Sequence, residues 1–235
     1  MIHSTFKHIL ISTTLMLIGN LINAQISVPF SYINTGKNSH YNLINKATNV
    51  VMCENVGIDY NNTVGNNYNC TYHYTRSSTP YPFSVMIPHT LVSTISETQV
   101  SPISLVEPMV CRYNPANSSL TYTGSSLVYP STMNVGQFLP VASGTATITA
   151  PNGFILTINI EVTDRQLLCI KEMSVGGQMK KVFTFFNKVQ TTSMAQGNTI
   201  SSDSETVVLE VIDGGGIYSI DRSGAKGHTY LQFLN

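Results

Sequence analysis

Apolar and polar side chains alternate most regularly between Gly144 and Val162, GTATITA-PNG-FILTINIEV. In the second limb Phe154, Leu156, Ile158, Ile160 and Val162 fall on one face, and Ile155, Thr157, Asn159, Glu161 and Thr163 on the other. A period of two sends successive side chains to opposite sides of a strand, so this limb predicts a half-buried β-strand. Pro151-Asn152-Gly153 supplies the turn before it, which makes the pair a hairpin with a bulge or a slightly longer loop.

The same pattern continues to the C-terminus. Strands are predicted at Thr145–Ala150, Phe154–Thr163, Arg165–Val175, Met179–Gln190, Glu205–Asp213 and Ile217–Asp221, with a final run at Thr229–Leu234. Gly176-Gly177, Gly214-Gly215-Gly216 and Ser223–Gly227 have the composition of the intervening turns. Between Met179 and Phe186 apolar residues occupy both faces, which predicts a central strand. A long sheet with one bulky apolar face must cover it, by curling into a barrel, folding onto a second sheet or holding a ligand.

The first half is less regular. Gln25–Asn49 reads as an entry strand and a turn, Val50–Met52 as a short strand, Glu54–Asn69 as a Gly- and Asn-rich loop, and Cys70–Thr75 as a returning strand. Ser77–Pro108 contains Pro80, Pro82, Pro88, Pro102 and Pro108, which confine strands to short or edge pieces. Leu91–Val100 reads as one strand or a short helix, and Met109–Tyr113 and Leu120–Tyr122 as a strand pair around Asn114–Asn117. The fold class is therefore all-β: a curved antiparallel meander sheet, an open barrel or sandwich-like arrangement, with a Pro-rich irregular middle segment as a candidate lid. A single domain is expected over 25–235, with an irregular, disulfide-containing half at 25–130 and the meander at 131–235.

The N-terminus changes the setting. Lys7, the apolar run Ile9–Ile22 and Ile22-Asn23-Ala24 have the layout of a signal peptide at 1–24, cleaved before Gln25. Ser12, Thr13, Thr14, Gly19 and Asn20 interrupt the run, and no later stretch is apolar enough to span a bilayer. The mature chain is expected to be exported, periplasmic or extracellular. Four cysteines, Cys53, Cys70, Cys111 and Cys169, fit disulfide chemistry in such a compartment. Cys53 with Cys70 is the favoured bridge, because it would close the Gly- and Asn-rich loop; Cys111 and Cys169 pair or remain separate buried thiols. Sequons at Asn61, Asn69 and Asn117 are read as chance products of an Asn-rich chain.

Composition mostly excludes. Charged residues make up 10% of the 235 residues, against roughly 25% in a typical soluble domain, and the formal net charge is zero. Without a basic block the chain lacks the footprint of a nucleic-acid or anionic-membrane binder. The four histidines of the predicted mature chain, His40, His73, His89 and His228, form no i, i+2 or i, i+4 pair, and no Cys-X-X-Cys occurs, so no metal or cofactor is expected. No Gly-X-Ser-X-Gly elbow is present. Asp164, Glu172, Glu210 and Asp213 are the only acids considered for a glycosidase pair, and are read as solvated strand-edge groups. The triple glycine at 214–216 precedes a β-run rather than a helix and reads as a hairpin turn, not a phosphate cradle. Tyr60, Tyr68, Tyr72, Tyr74 and Tyr81 suit a carbohydrate-stacking surface or simply β-propensity, the second being preferred.

The run Tyr129–Pro140 (YPSTMNVGQFLP) resembles the "YPS…VG..LP" entry of the TapB-like exported bacterial all-β proteins. Val162-Thr163-Asp164-Arg165 is similar to that family's strand-end "TNR", Gly176-Gly177 sits at its "PAGTF" turn, and Leu209–Tyr218 resembles its "EWY..GVGLV". Here Val211-Ile212 replace the Trp-Tyr, and Lys180-Lys181 stand where a cysteine usually follows the turn. The resemblance covers roughly the C-terminal half and implies an envelope or secreted β-domain without an established activity.

These readings lead to an exported non-enzymatic β-domain that binds a hydrophobic or lipid-like molecule on a sheet face lined by Phe154, Leu156, Ile158, Ile160 and Val162. If that face is covered by the N-terminal half, a structural or adhesive envelope protein takes its place. A hydrolase with an unrecognised site is the third alternative.

Overall fold

A computed structural model describes residues 27–32, 37–64, 67–76, 83–106, 119–225 and 227–234. The predicted signal peptide, Cys111 and the predicted Asn114–Asn117 turn lie outside the described residues, as do the side chains of Cys53, Cys70, His73, His89 and the N-terminal tyrosines Tyr60, Tyr68, Tyr72, Tyr74 and Tyr81.

The second half is the predicted meander with longer strands: β10 (Ala142–Thr149), β11 (Ile155–Val175), β12 (Gln178–Ala195), β13 (Asn198–Ile212), β14 (Gly216–Gly224) and β15 (Gly227–Leu234), paired antiparallel in chain order. The predicted strands Phe154–Thr163 and Arg165–Val175 are one strand. At Thr163/Gln166 the β11–β12 register shifts, and Asp164 takes a left-handed φ of 47°. The break in alternation at Asp164 is a β-bulge, not a turn, and it reverses which parity faces inward. Leu156, Ile158, Ile160 and Val162 are buried before it, Arg165 and Leu167 after it.

The first half is far more regular than its sequence suggests. It supplies β2 (Lys37–Asn45), β3 (Val50–Val64), β4 (Asn67–Arg76), β5 (Phe83–Ser93), β6 (Glu97–Val100) and β8 (Leu127–Pro130), all in the same sheet. The predicted Glu54–Asn69 loop is most of the β3–β4 hairpin, because both strands find backbone partners on each side, β2 and β5. Pro88 is accommodated in β5 because β6 pairs only with Leu91–Ser93, so the proline stands where β5 has a neighbour on one side only. β15 pairs with β2 and joins the halves into 13 strands, ordered β7 (Ser119–Gly124), β10 to β15, β2 to β6, β8.

The sheet is not closed. Its edges, β7 and β8, are separated in the chain by Ser125 and Ser126 alone, yet they do not pair. It does fold over itself: the ring of Tyr129 on edge strand β8 lies 5.0 Å from that of Phe185 on β12. Between them runs a strap, 27–32, which contains β1 (Val28–Pro29), paired with β9 (Thr132–Met133). Phe30 stacks edge-on against Phe183 at 4.7 Å, and Tyr32 lies 5.5 Å from Tyr129. Backbone bonds hold the strap at both sides, from Phe30 N to Ser131 O (2.8 Å), and to Ser31 O and Tyr32 O from the amides of Gly214 and Gly216 (2.7 and 2.8 Å). A short helical turn at 103–106 adds fully buried Ile103, Leu105 and Val106 to the same core. Part of the segment read as a lid is thus interior filling.

One cysteine expectation fails on this register. Cys70 pairs with Tyr60, whereas Cys53 precedes Glu54, whose partner is Thr75. That sets the two about six residues, roughly 20 Å, apart along the strands, when a disulfide needs Cα atoms ~4.4–6.8 Å apart. Cys169 is a free, exposed thiol.

Candidate functional site

Of the residues predicted to line a ligand, Leu156, Ile158, Ile160 and Val162 are at most 2% exposed and belong to one cluster with the strap, the 103–106 turn and strands of both halves. Phe154 lies in the turn before β11, 40% exposed. The face that was expected to be open is covered by the protein's own chain.

What reaches the surface instead is built by the bulge. Arg165 is turned inward and is 1% exposed. Its guanidinium donates to Asn187 Oδ1 on β12 (3.3 Å), Val128 O on β8 (3.4 Å) and Pro140 O, and lies 4.9 Å from the centre of the Tyr129 ring. Among the described residues no carboxylate receives it; carbonyl and amide oxygens with an aromatic face disperse the charge. Burial pushes the Tyr129 hydroxyl pKa up, and the positive Arg165 opposes that rise. The effect is a clasp between the edge strand β8, the central strands and the connection 134–141.

That connection is pinned to the bulge along its length. Gly136 N donates to Leu167 O (2.7 Å), Leu167 N to Gln137 O (3.0 Å), Leu139 N to Arg165 O (2.9 Å) and Gln166 Nε2 to Gly136 O (3.0 Å). So held, it turns Phe138 (72% exposed), Val141 (65%) and Val135 outward, and a second register shift of β11, between Leu167 and Cys169, adds Leu168. Several large apolar side chains turned outward from one short segment that backbone bonds tie to β11 are a feature to explain on a polar surface.

A second feature lies on the outward side of β10–β12. Across three strands the register aligns Ser143, Glu161 and Gln190, and one rung on, Thr145, Asn159 and Thr192. They line a hollow of about 420 Å³. Thr145 Oγ1 donates to Asn159 Oδ1 at 2.9 Å. The interior side of the same corner is tight: a Cβ on Gly144 would lie 2.3 Å from the Tyr122 hydroxyl, so only glycine fits beneath that ring.

The groups considered for chemistry are spread over the sheet. Glu210 accepts bonds from Lys171 (2.5 Å), Thr184 (3.5 Å) and Ser219 (2.8 Å), and the Lys171 bond is what first raises that lysine's pKa. Asp213 receives the amide of Ser31 in the strap at 2.8 Å. Asp221 holds both Lys46 and His228 on the surface of β14, β15 and the β2–β3 turn. Asp164, Glu172 and His40 are exposed. The glycine turn at 214–216 spends two of its amides on strap carbonyls. Among the described residues no group of three or more His, Cys, Asp or Glu is placed to hold a metal ion.

No family model matches the chain, and no curated protein does. Solved structures do share its fold. A "putative lipoprotein" from Parabacteroides distasonis superposes with a TM-score of 0.63 at 12% identity, covering 87% of this chain and 97% of that one. A "putative exported protein with YmcC-like fold" from Bacteroides fragilis gives 0.60 at 12% identity, covering 88% and 98%. At this identity the likeness is one of fold. The residues resembling the TapB-like family fall on structural joints: the β8–β9 stretch with its pinned connection, the Asp164–Arg165 bulge, the β11–β12 turn and the β13–β14 hairpin. Arg165 and Phe138 both fall within those motifs, and nothing local in the sequence announces that one is buried and the other exposed.

Proposed function

We propose that the protein is exported and acts at the cell envelope by surface contact, as an interaction or structural protein rather than a carrier or an enzyme. The observation that carries this reading is the set of exposed apolar side chains Val135, Phe138 and Val141 on a connection held by backbone bonds and the Arg165 clasp, with exposed Leu168 on the strand β11 that holds it. Rigid presentation lowers the ordering cost of binding, and exposed aromatic and aliphatic anchors are the usual centres of protein contacts. Export is supported by the signal-like N-terminus and by the descriptions of the two proteins of similar fold. The filled interior speaks against a lipid held on the β11 face. No helix among the described residues is long and apolar enough to cross a membrane.

The test is in-cell photo-crosslinking from position 138, with position 180 on the β11–β12 tip as control. A discrete protein adduct at 138 that disappears in Val141→Asp and Leu168→Asp supports the reading. Equal or absent adducts at both positions defeat it.

A further inference from the structure

We infer that the outward hollow over β10, β11 and β12 binds a neutral oligosaccharide. The reasoning starts from what the hollow offers. Its six polar side chains are three hydroxyls, two amides and one carboxylate, with no lysine or arginine in the lining. Hydroxyls and amides both donate and accept, and a carboxylate accepts through two oxygens, so a vicinal diol can be bridged by one planar group. The planar groups Asn159, Glu161 and Gln190 come from adjacent strands about 4.8 Å apart and from rungs about 6.8 Å apart. Asn159 and Glu161 therefore address successive points along a chain lying in the hollow. Thr145 fixes the Asn159 carbonyl, which leaves that amide's nitrogen as a donor. Among the described residues, the side chains of Glu161 and Gln190 make no hydrogen bond, and both residues are exposed.

Charge and polarity narrow the guest. Glu161 disfavours phosphates and acidic chains, and nothing in the lining offers an anion a cation. The exposed side chains are polar, which disfavours lipid. A volume of about 420 Å³ falls in the ordinary range of small-molecule sites. A hydroxyl-rich, uncharged ligand satisfies every group present. The inference goes beyond the contact reading above and stands whether or not Phe138 meets a protein.

The experiment is affinity electrophoresis of the full mature chain through gels containing dextran, mannan, galactan or soluble chitin oligomers. Retardation in at least one gel is expected, and the double variant Asn159→Ala/Gln190→Ala, both sites being exposed, should weaken it by about tenfold or more. Competition then separates the source: relief by short oligomers but not by free hexose marks a polymer segment, while relief by hexose marks a soluble sugar. Unretarded migration in every gel overturns the inference, and so does retardation that the double variant leaves unchanged while its melting profile stays native.

Discussion

Along β11 the inward residues Leu156, Ile158 and Ile160 and the outward residues Thr157, Asn159 and Glu161 share one backbone and differ only in what they meet. Inward they meet a core assembled from both halves of the chain; outward they meet solvent and the hydroxyl rows of β10 and β12. An alternating strand says which face is buried. It does not say whether the cover is a ligand, a second sheet or the chain's own strap. Here Phe30 and Tyr32 of that strap are part of the cover, and the polar face is the one left available.

The sharpest way to break this comparison is to truncate neighbours on opposite faces. Ile158→Ala should cost about 2–5 kcal/mol, the lost transfer energy plus the cavity left among packed side chains. Asn159→Ala, one residue away, should stay within about 0.5 kcal/mol. Urea denaturation of both variants decides it. Similar midpoints would mean that the β11 face is not packed as described and would reopen the carrier reading.

A smaller effect is expected at Arg165, where the two faces exchange parity. Arg165→Ala removes donors to Asn187, Val128 and Pro140 and leaves the buried Asn187 oxygen and the part-buried Val128 and Pro140 carbonyls without them, at about 1–3 kcal/mol. Arg165→Met should cost less, because a buried charge without a carboxylate also loses its desolvation penalty. The readout that separates a clasp from mere filling is amide exchange: Gly136 and Leu139 should exchange faster in both variants. Unchanged exchange there would remove Arg165 from the support of the exposed Phe138 and Val141.

How much of this was legible follows from the range of each interaction. The hairpin turns at 151–153, 176–177 and 214–216 and the alternation of β11 are local, and they could be read directly. Asp164 was read as a strand end because a single left-handed residue looks the same in sequence whether it ends a strand or bulges it. Glu54–Asn69 was read as a loop because Asn and Gly disfavour strands; pairing with β2 and β5 outweighed that preference. The candidate sites were the least legible. Arg165 reaches partners at positions 128, 140 and 187, and the hollow joins residues from 143 to 192, contacts that exist only once the register is set.

The mildest test uses pH on the outward face and at its corner. Burial raises the Tyr122 hydroxyl to a pKa of about 12 from an ordinary 10.0, and the Glu210 bond raises Lys171 above its ordinary 10.5. In both cases the folded protein keeps a proton that the unfolded chain has released. The folded state then binds more protons than the unfolded one, so stability falls as pH rises. The Tyr122 contribution is whole below its unfolded pKa of 10.0 and fades as pH climbs toward about 12; the Lys171 contribution is whole below 10.5 and fades as pH passes through the raised value. Lys171 is partly exposed, and screening keeps its share small. Urea midpoints at about pH 9 and about pH 11 should therefore decline in the wild type, less in Tyr122→Phe and Lys171→Met. An undiminished decline in both variants would assign the loss to other groups and detach Tyr122 from the tight corner over Gly144.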